Sequence, residues 1–430
     1  MRSNSRMKRI MVLMSLAVFL VSFSLPAAFA QKSEVLFWTG FAGQPERGVM
    51  DQMVARFNEL FPEINVKKVV VPGTETNIAK LLTSLAAGVG PDAYHLDRFT
   101  VSQRASAGIL QSLEGYVPGI REWVEETYLD FGWKEVVYQD KVWGLPFDTD
   151  VRALYYRKDF FDEAGLSAPA TIAETDAAAE KLTVREAGRL QRMGFVPWWN
   201  QGWHYTWGWA FGGEFYNADT QKITANDPRI VESFAWQKSY LDKYGMKDVQ
   251  AFSSSYQEQM EVLDPFVSGK VAMVITGDWF IGNMRRFGPD VDYGIVPIPR
   301  PAQFKEPTSW SGGWSIVIPV GAKNAEGAAT FMKWYCGLEA NEMYAEGTFH
   351  LPVTRVGAAT TFLREEPGYS VFIDVLPYSQ CRPVIPVGGL YWDELTAARD
   401  YVIYGKKAAK QALDDVTAKV QAELDRVLSQ

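Results

Sequence analysis

The sequence predicts an α/β protein with two domains, and three observations support this prediction. Apolar runs with strand spacing and helix spacing alternate from residue 35 to residue 96. A second alternation begins near residue 150. The chain has 430 residues, which is too long for one hydrophobic core. We therefore expect two domains, each with a mainly parallel sheet flanked by helices.

The first alternation consists of strand, helix, strand, helix and strand, at residues 35–38, 49–60, 64–71, 78–85 and 93–96. In an α/β sheet of this kind, ligands bind at the carboxyl ends of the strands. Trp38 and the pair Asp97 and Arg98 occupy such ends. We therefore expect these side chains near a ligand site.

The second domain is predicted from two strand candidates, residues 152–156 and 271–276. Residues 292–301 contain three prolines between apolar residues, which is typical of a connector. Residues 409–427 keep one face apolar at helical spacing, so the chain is expected to end in a helix.

The N-terminus has the three parts of a secretory signal peptide. Four basic residues precede an apolar stretch over residues 10–25, and Ala28-Phe29-Ala30 has the pattern of a cleavage site. The mature chain should therefore begin at Gln31. The apolar stretch is short for a membrane span, and no cysteine lies at the cleavage point. These features predict a soluble, exported protein without a lipid anchor.

The net charge indicates which partners the protein does not bind, and the cysteine content limits it to one disulfide at most. Removal of residues 1–30 takes away four basic and no acidic residues, so the formal net charge changes from -8 to -12. An acidic surface argues against nucleic acid or an anionic membrane as a partner. Cys336 and Cys381 are the two cysteines. They form one disulfide or remain two buried thiols, and the sequence does not decide between these alternatives.

The densest aromatic segment contains five tryptophans with a tyrosine and a phenylalanine between and after them: Trp198, Trp199, Trp203, Tyr205, Trp207, Trp209 and Phe211. Indole rings have broad apolar faces and one N–H donor, so they complement the apolar patches of a sugar ring. Aromatic side chains also fill protein cores. The segment therefore suggests a carbohydrate site, with plain core packing as the alternative.

Motifs of metal and cofactor chemistry are missing from the sequence. The three histidines lack the spacing of a zinc site, and there is no nucleophile elbow, phosphate-binding loop or dinucleotide motif. We expect no metal and no cofactor.

Asp148 and Asp150 are a pair of acids two residues apart in an aromatic context. A glycosidase needs two well-placed acids beside the bond that it cleaves. A secreted glycoside hydrolase is therefore the enzymatic alternative.

Several motifs in order along the chain resemble one family, the extracellular solute-binding proteins that serve carbohydrate ABC transporters. The matching segments are Gly90-Pro91-Asp92, Asp97-Arg98-Phe99, Ala107-Gly108-Ile109-Leu110, Val142-Trp143-Gly144-Leu145-Pro146, Leu154-Tyr155-Tyr156-Arg157-Lys158, Phe266 to Met273, Gly277-Asp278-Trp279 and Gly312-Gly313-Trp314. Each segment is short, but their ordered combination covers nearly the whole mature chain.

The resemblance implies a two-lobed periplasmic-binding-protein fold of type II, with lobes joined by hinge crossovers near residues 148, 297 and 338. The first lobe would comprise residues 31–148 and 298–338, and the second lobe residues 149–297 and 339–430. A ligand would bind between the lobes, which close over it by a hinge motion.

The resemblance also implies the ligand contacts, which are Trp38, Asp97, Arg98, Asp150, Trp203, Tyr205, Trp207, Trp279, Trp314 and Trp392. The charged residues match groups that bind sugar hydroxyls, and Trp279, Trp392 and Tyr205 match aromatic positions of the family. Trp38 and Trp314 are included because of their strand-end and Gly-Gly contexts, and Trp203 and Trp207 because they flank Tyr205. Asp148 is the alternative to Asp150, and Tyr391 is the alternative to Trp392. A core position is the alternative for Trp38 and Trp314, and an ion pair that stabilises the fold is the alternative for Asp97 and Arg98.

The function implied is that of a periplasmic receptor, not an enzyme. It would bind an oligosaccharide as a monomer and deliver it to the transmembrane subunits of an ABC permease. Thr39-Gly40-Phe41 lacks the acid–lysine pair of a maltose-binding member, so maltose is not the expected ligand. Receptors for glycerol phosphate esters and for polyamines occur in the same family and are the remaining alternatives.

Overall fold

The computed structural model describes residues 32–73, 78–256 and 261–430. The predicted signal peptide, residues 1–30, lies outside these ranges. In chain order the strands are β1 (Ser33–Thr39), β2 (Ile64–Val70), β3 (Ala93–Asp97), β4 (Val137–Tyr138), β5 (Lys141–Val142), β6 (Gly144–Pro146), β7 (Asp150–Arg157), β8 (Val184–Glu186), β9 (Arg189–Phe195), β10 (Tyr216–Asn217), β11 (Lys222–Ile223), β12 (Val271–Gly277), β13 (Tyr293–Val296), β14 (Ser309–Gly312), β15 (Trp314–Val317) and β16 (Ser379–Gln380).

The α-helices of the described residues alternate with these strands and then dominate the C-terminal third. In chain order they are α1 (Glu46–Leu60), α2 (Ile78–Ala86), α3 (Val101–Ser106), α4 (Ile120–Thr127), α5 (Asp130–Lys134), α6 (Lys158–Ala164), α7 (Ile172–Leu182), α8 (His204–Ala210), α9 (Pro228–Tyr244), α10 (Met246–Tyr256), α11 (Phe280–Phe287), α12 (Ala325–Tyr335), α13 (Leu338–Thr348), α14 (Arg355–Thr360), α15 (Tyr369–Val375), α16 (Gly388–Ile403) and α17 (Ala409–Leu428).

The first lobe is built on a sheet with the strand order β2-β1-β3-β15-β6. Strand β1 runs parallel to both β2 and β3, which confirms the predicted strand–helix–strand alternation. Helices α1, α12 and α13 cover the sheet, with Met50, Phe57 and Phe331 in the core between them. The apolar side chains at helical spacing in α1 are therefore the ones that this core buries.

The second lobe contains a sheet with the order β16-β14-β7-β12-β9-β8, in which β13 also pairs with β7. Strand β7 runs antiparallel to β12, β13 and β14, while β12 is parallel to β9. The expectation of a mainly parallel sheet is therefore wrong for this lobe, and in the first lobe it holds only for β2, β1 and β3, since β15 runs antiparallel to β3 and β6. The reason is the crossover: β7 enters from the other lobe and runs away from the cleft, whereas β12 ends at the cleft.

Three crossovers join the lobes, and they lie together at the base of the cleft. The first spans residues 147–149, between β6 and β7. The second is Gly313, between β14 of the second sheet and β15 of the first. The third, at residues 349–354, follows α13 and pairs with the first crossover through a bridge between Thr149 and Leu351.

The crossovers differ from the predicted positions in two of three cases. The first agrees with the expected position near residue 148. The second lies at Gly313 and not near residue 297, because β14 is still paired with β7 of the second sheet. The third lies beyond residue 338, because α13 packs against α1 of the first lobe. The predicted positions were those that the family resemblance implied, and the strand pairing and helix packing of this chain place the second and third boundaries later.

Both cysteines are free thiols in the structure. Cys336 is buried in the core of the first lobe, and Cys381 lies in the second lobe directly after β16. The alternative of two separate thiols is therefore the one that the structure shows.

Gly313 has a backbone geometry that only glycine adopts without strain. Its φ angle is +127°, and a Cβ atom at this position would lie 2.7 Å from the Arg98 guanidinium and 2.7 Å from the Asp148 carbonyl oxygen. Both neighbours are held by other contacts, so neither can move away cheaply. The second crossover therefore requires a glycine.

We predict that Gly313→Ala lowers the free energy of unfolding by at least about 2 kcal/mol, because it adds backbone strain and a clash at a buried site. Urea unfolding followed by circular dichroism measures this change. The control is Gly43→Ala, where a Cβ atom would meet nothing within 4 Å. Equal stability of the two variants would contradict the proposed role of Gly313.

Candidate functional site

A cavity of about 930 Å³ lies between the two lobes. Its wall includes Asp97 and Phe99 of the first lobe, Trp203 and Trp392 of the second lobe, and Gly313 at the second crossover. Pockets that bury small ligands in proteins have volumes of about 300–1,000 Å³. The cavity therefore has the size and the position expected for a ligand site between two lobes.

Five tryptophans line this cavity, and four of them expose part of their ring to it: Trp203, Trp279, Trp314 and Trp392. Each of these four was predicted from the sequence. The fifth, Trp310, is only 3% exposed and forms the wall behind them. Partly exposed indole faces at fixed positions are the surfaces on which an apolar ring face can stack.

The aromatic side chains form three separate groups around the cavity. Trp203 and Trp392 have ring centroids 5.1 Å apart, and Phe41 lies 5.1 Å from Trp314. Trp279 stacks on His350 with a centroid distance of 5.6 Å and an interplanar angle of 14°. Since the groups come from different elements, the cavity offers more than one stacking surface.

Trp279 is positioned by the residues that precede it. It follows β12, and a Cβ atom on Gly277 would collide with the Trp279 ring, so the glycine makes room for the indole. The carboxylate of Asp278 accepts hydrogen bonds from the backbone N–H groups of Val151 and Leu351, both at 2.9 Å. Asp278 thus ties the end of β12 to the start of β7 and to the third crossover, and fixes the position of Trp279.

Charged side chains of both signs line the cavity: Glu46, Asp97, Asp150, Asp393, Arg104, Arg152 and Arg382. Asp150 begins β7, and its Oδ1 atom accepts a hydrogen bond from the Gly312 N–H at 2.7 Å. The Arg152 guanidinium also contacts Asp150 and lies over the Trp310 ring, 3.7 Å from its centroid. This carboxylate and this guanidinium are therefore held in place at the cavity wall.

A second acid–base pair also lines the cavity, and its guanidinium lies 5.2 Å from the centroid of the same Trp310 ring. Arg382 donates to both carboxylate oxygens of Asp97, with distances of 2.7 and 3.4 Å. The Arg382 side chain is 4% exposed and that of Asp97 is 20% exposed. Asp97 thus lines the cavity as predicted, but its guanidinium partner is Arg382 and not the neighbouring Arg98.

Arg98 lies outside the cavity, so its predicted contact with a ligand needs correction. Its side chain is fully buried and donates to Glu135 Oε2 at 3.0 Å, and it also donates to the carbonyl oxygens of Asp148 and Gly312. Asp97 is the last residue of β3, whereas Arg98 is the first residue of the short 3-10 helix that follows it. The backbone changes direction between the two residues, and only the Asp97 side chain lines the cavity.

Tyr205 and Trp207 also lie outside the cavity lining, as does Trp38. Every residue of α8 is buried. Tyr205 stacks on Trp209, and Trp207 donates its indole N–H to the Pro197 carbonyl oxygen at 2.7 Å. Only Trp203, at the N-terminus of this helix, reaches the cavity. Most of the aromatic segment is therefore packed in the protein core, which was the alternative to a role in carbohydrate binding.

Trp38 is 7% exposed and packs with Tyr94, Leu96 and Val317 in a core of the first lobe. Strand β1 does end toward the cleft, but the Trp38 side chain points to the covered face of the sheet. Phe41, three residues later, lines the cavity in its place.

Several residues of the cavity wall were missed by the sequence analysis. Arg152 lies two residues after Asp150 on β7, and Trp310 lies two residues before Gly312 on β14, so the two-residue strand period was a usable signal for both. Arg382 and His350 lie in irregular segments, and no local pattern marks them. Among the described residues, no group of three or more His, Cys, Asp or Glu side chains could hold a metal ion.

Asp148 is buried beside the crossovers. Its Oδ1 atom accepts a hydrogen bond from the Trp314 N–H at 2.7 Å, and it does not line the cavity. Burial, together with the negative charge of Asp150, raises the pKa of Asp148 to about 7. Burial also raises the pKa of Asp278. The crossovers therefore contain carboxyl groups that hold protons more tightly than they would in an unfolded chain.

Comparison with known proteins identifies the class to which this fold and cavity belong. Residues 43–342 match the family of bacterial extracellular solute-binding proteins. The match covers well over half of the chain, and the chain belongs to this family. The predicted membership and the two-lobed α/β fold are thereby confirmed.

Particular relatives resemble the chain over most of its length. A galactooligosaccharide-binding protein of Bacillus subtilis is 25% identical, over 90% of this chain and 89% of that protein. A maltotriose-binding protein of Pyrococcus abyssi is 22% identical, over 91% and 82%. The solved structure of CpMnBP1 with mannobiose bound has a TM-score of 0.80 at 26% identity, and covers 91% of this chain and 100% of that one.

Within residues 32–73, 78–256 and 261–430, no helix combines the length and the apolar character that a membrane-spanning helix needs.

We predict that Asp148→Asn reduces the loss of stability on raising the pH. In the unfolded chain this carboxyl ionises near pH 3.8, whereas in the folded protein it keeps its proton until about pH 7. The unfolded state therefore binds fewer protons in this window, so the free energy of unfolding falls as the pH rises from about 4 to 7. Urea unfolding at pH 5 and pH 8 measures the fall.

The fall should be smaller in Asp148→Asn than in the wild type, and the exposed Asp219→Asn variant should behave like the wild type. An identical fall in all three proteins would show that Asp148 titrates as it does in the unfolded chain.

Proposed function

We propose that this protein is the sugar receptor of an ABC importer, which binds an oligosaccharide between its lobes and delivers it to the transmembrane subunits of the permease. Family membership supports a solute-binding role. The relatives named above are a galactooligosaccharide-binding protein, a maltotriose-binding protein and a protein solved with mannobiose bound, and they support a carbohydrate as the solute.

The observation that carries the proposal is the combination of side chains in one cavity. Four partly exposed tryptophans and two fixed acid–arginine pairs, Asp97 with Arg382 and Asp150 with Arg152, line the same space. A sugar ring has apolar faces and a rim of hydroxyl groups that both donate and accept hydrogen bonds. Indole faces, carboxylates and guanidinium groups satisfy both parts.

The arrangement favours a ligand with more than one ring. The aromatic groups formed by Trp203 and Trp392, by Trp279 and by Trp314 belong to different elements, so one pyranose cannot stack on all of them. In this proposal the four tryptophans stack on sugar rings, and Asp97 and Asp150 accept hydrogen bonds from hydroxyl groups. Hinge closure, for which periplasmic binding proteins are an established example, would then bury the ligand.

A binding role without catalysis is part of the proposal. The glycosidase alternative needs two acids beside the scissile bond, one of them a general acid. Asp148 is buried away from the cavity lining, and Asp150 is held by Arg152 and the Gly312 N–H. We therefore propose that the protein releases its ligand unchanged, and that it acts as a monomer without a cofactor.

The proposed location is the periplasm. The family is extracellular by its description, and residues 1–30 have the pattern of a cleaved signal peptide without a lipid-anchor cysteine. On this proposal the secreted chain begins at Gln31.

We predict that at least one oligosaccharide raises the thermal unfolding midpoint of the protein. A ligand at one hundred times its Kd adds about 2.7 kcal/mol to the free energy of unfolding, because it binds only the folded state. Differential scanning fluorimetry with mannobiose, mannotriose, maltotriose, galactooligosaccharides, spermidine and glycerol phosphate measures this effect. A response to spermidine or glycerol phosphate and to no sugar would contradict the proposal, as would release of reducing sugar.

We predict that Trp279→Ala weakens the binding of a responding sugar about thirtyfold, which corresponds to about 2 kcal/mol, because a stacking surface is lost. Isothermal titration calorimetry measures the affinity. The control is Trp123→Ala, since Trp123 lies on α4 of the first lobe and not in the cavity wall. Wild-type affinity in Trp279→Ala would remove this residue from the proposed contacts.

A further inference from the structure

The ion pair between Asp97 and Arg382 joins the two lobes directly. Asp97 ends β3 in the first sheet, and Arg382 lies two residues after β16, which pairs with β14 in the second sheet. The two residues are far apart in sequence and approach each other only when the lobes face each other across the cleft. Opening of the cleft on this side must therefore break both hydrogen bonds.

Arg382 is buried among aromatic and acidic side chains, unlike the arginine of a surface ion pair. Its guanidinium lies over the Phe99 ring, 4.1 Å from the centroid, and 5.2 Å from the centroid of Trp310. Its Nε atom is 3.8 Å from Glu135 Oε1, so a second carboxyl group of the first lobe lies beside the guanidinium. Glu135 in turn binds Arg98. A desolvated pair of this kind is screened much less by salt than an exposed one.

Two further hydrogen bonds join the lobes beside this pair. The Ser102 hydroxyl donates to the Ile385 carbonyl oxygen at 2.9 Å, and the Gly389 N–H donates to the Gln103 side chain at 3.1 Å. Both partners of the first lobe lie on α3, and both partners of the second lobe lie at or before the start of α16. The side of the cleft near Asp97 therefore has a continuous polar interface around one buried ion pair.

We propose that Arg382 is a positioning residue that couples closure of the lobes to the orientation of the Asp97 carboxylate. By binding both oxygens of Asp97 from the opposite lobe, Arg382 stabilises the closed arrangement before a sugar is bound, and it orients the carboxylate toward the cavity. The effect on sugar affinity rests on the function proposed above, but the effect on lobe closure does not.

The coupling has a defined thermodynamic consequence. When only the closed arrangement binds tightly, the apparent Kd equals the intrinsic Kd divided by the fraction of closed molecules. Loss of the ion pair lowers that fraction. A variant that cannot form the pair should therefore open more often without ligand and bind sugar more weakly, although it makes the same stacking contacts.

The test is Arg382→Gln, which keeps a polar, hydrogen-bonding side chain but shortens it and removes the charge and the bidentate geometry. Small-angle X-ray scattering of the ligand-free protein should show a larger radius of gyration than for the wild type. Titration with mannotriose, maltotriose and galactotriose, each separately, should show affinity on the order of tenfold weaker for any sugar that binds the wild type.

The matched control is Arg157→Gln. Arg157 is also buried, donates to both carboxylate oxygens of Asp159 and lies over the Phe160 ring at 4.4 Å, but all of these residues belong to the second lobe. This variant should lose stability without a change in the ligand-free radius of gyration. Because the Asp159 side chain is 41% exposed, the control matches the arginine and its bidentate contact and not the burial of the carboxylate. It thus separates the loss of an arginine–carboxylate pair within one lobe from the loss of a contact between lobes.

Asp97→Asn removes the same ion pair from the other side, and its ligand-free radius of gyration tests the inference even if Arg382→Gln does not fold. The double variant should have the scattering curve of either single variant, because both remove one interaction. An unchanged radius of gyration in Arg382→Gln and in Asp97→Asn would overturn the inference. If no sugar binds the wild type while the variants open, the proposed function fails and the coupling stands.

Discussion

The buried guanidinium of Arg98 is the contact on which the junction of the lobes depends. It binds Glu135 of the first lobe, the carbonyl oxygen of Asp148 in the first crossover and the carbonyl oxygen of Gly312, directly before the second crossover. A fully buried ion pair is costly to break, because the remaining partner keeps a desolvated charge. Arg98 thus holds two chain crossings at one place, and the cavity forms where they meet.

This constraint explains why the cavity wall is built from residues next to the crossovers. Three acidic side chains beside the crossovers accept hydrogen bonds from backbone N–H groups of a neighbouring chain segment. Asp148 accepts from Trp314, Asp150 accepts from Gly312, and Asp278 accepts from Val151 and Leu351. The Arg98 guanidinium is buried and donates its hydrogen bonds to Glu135 and to backbone carbonyl oxygens, so it does not face the cavity. The cavity wall takes positive charge from other residues, among them Arg152 on β7 and Arg382 after β16. The same contacts that join the lobes therefore also position the groups that face a ligand.

The sequence predicted the alternation of elements and six of the ten proposed contacts as cavity residues, and the failures have physical reasons. Asp97 and Arg98 are neighbours at the point where β3 gives way to a 3-10 helix, so a motif match alone could not tell which of them faces the cleft. Tyr205 and Trp207 lie on a helix that is buried on all sides, a fact set by α9 and α16 packing around it. Arg382 reaches Asp97 only through the tertiary fold, and no local pattern marks such a pairing.

The central claim is that the space between the lobes is a carbohydrate site, and native mass spectrometry of the purified protein tests it most directly. The protein would be purified without sugars in any buffer and transferred to the gas phase with its bound molecules. The account predicts an adduct with the mass of an oligosaccharide of two or more rings, which is lost on gentle unfolding. A tightly held peptide, polyamine or phosphate ester in place of that adduct would contradict it.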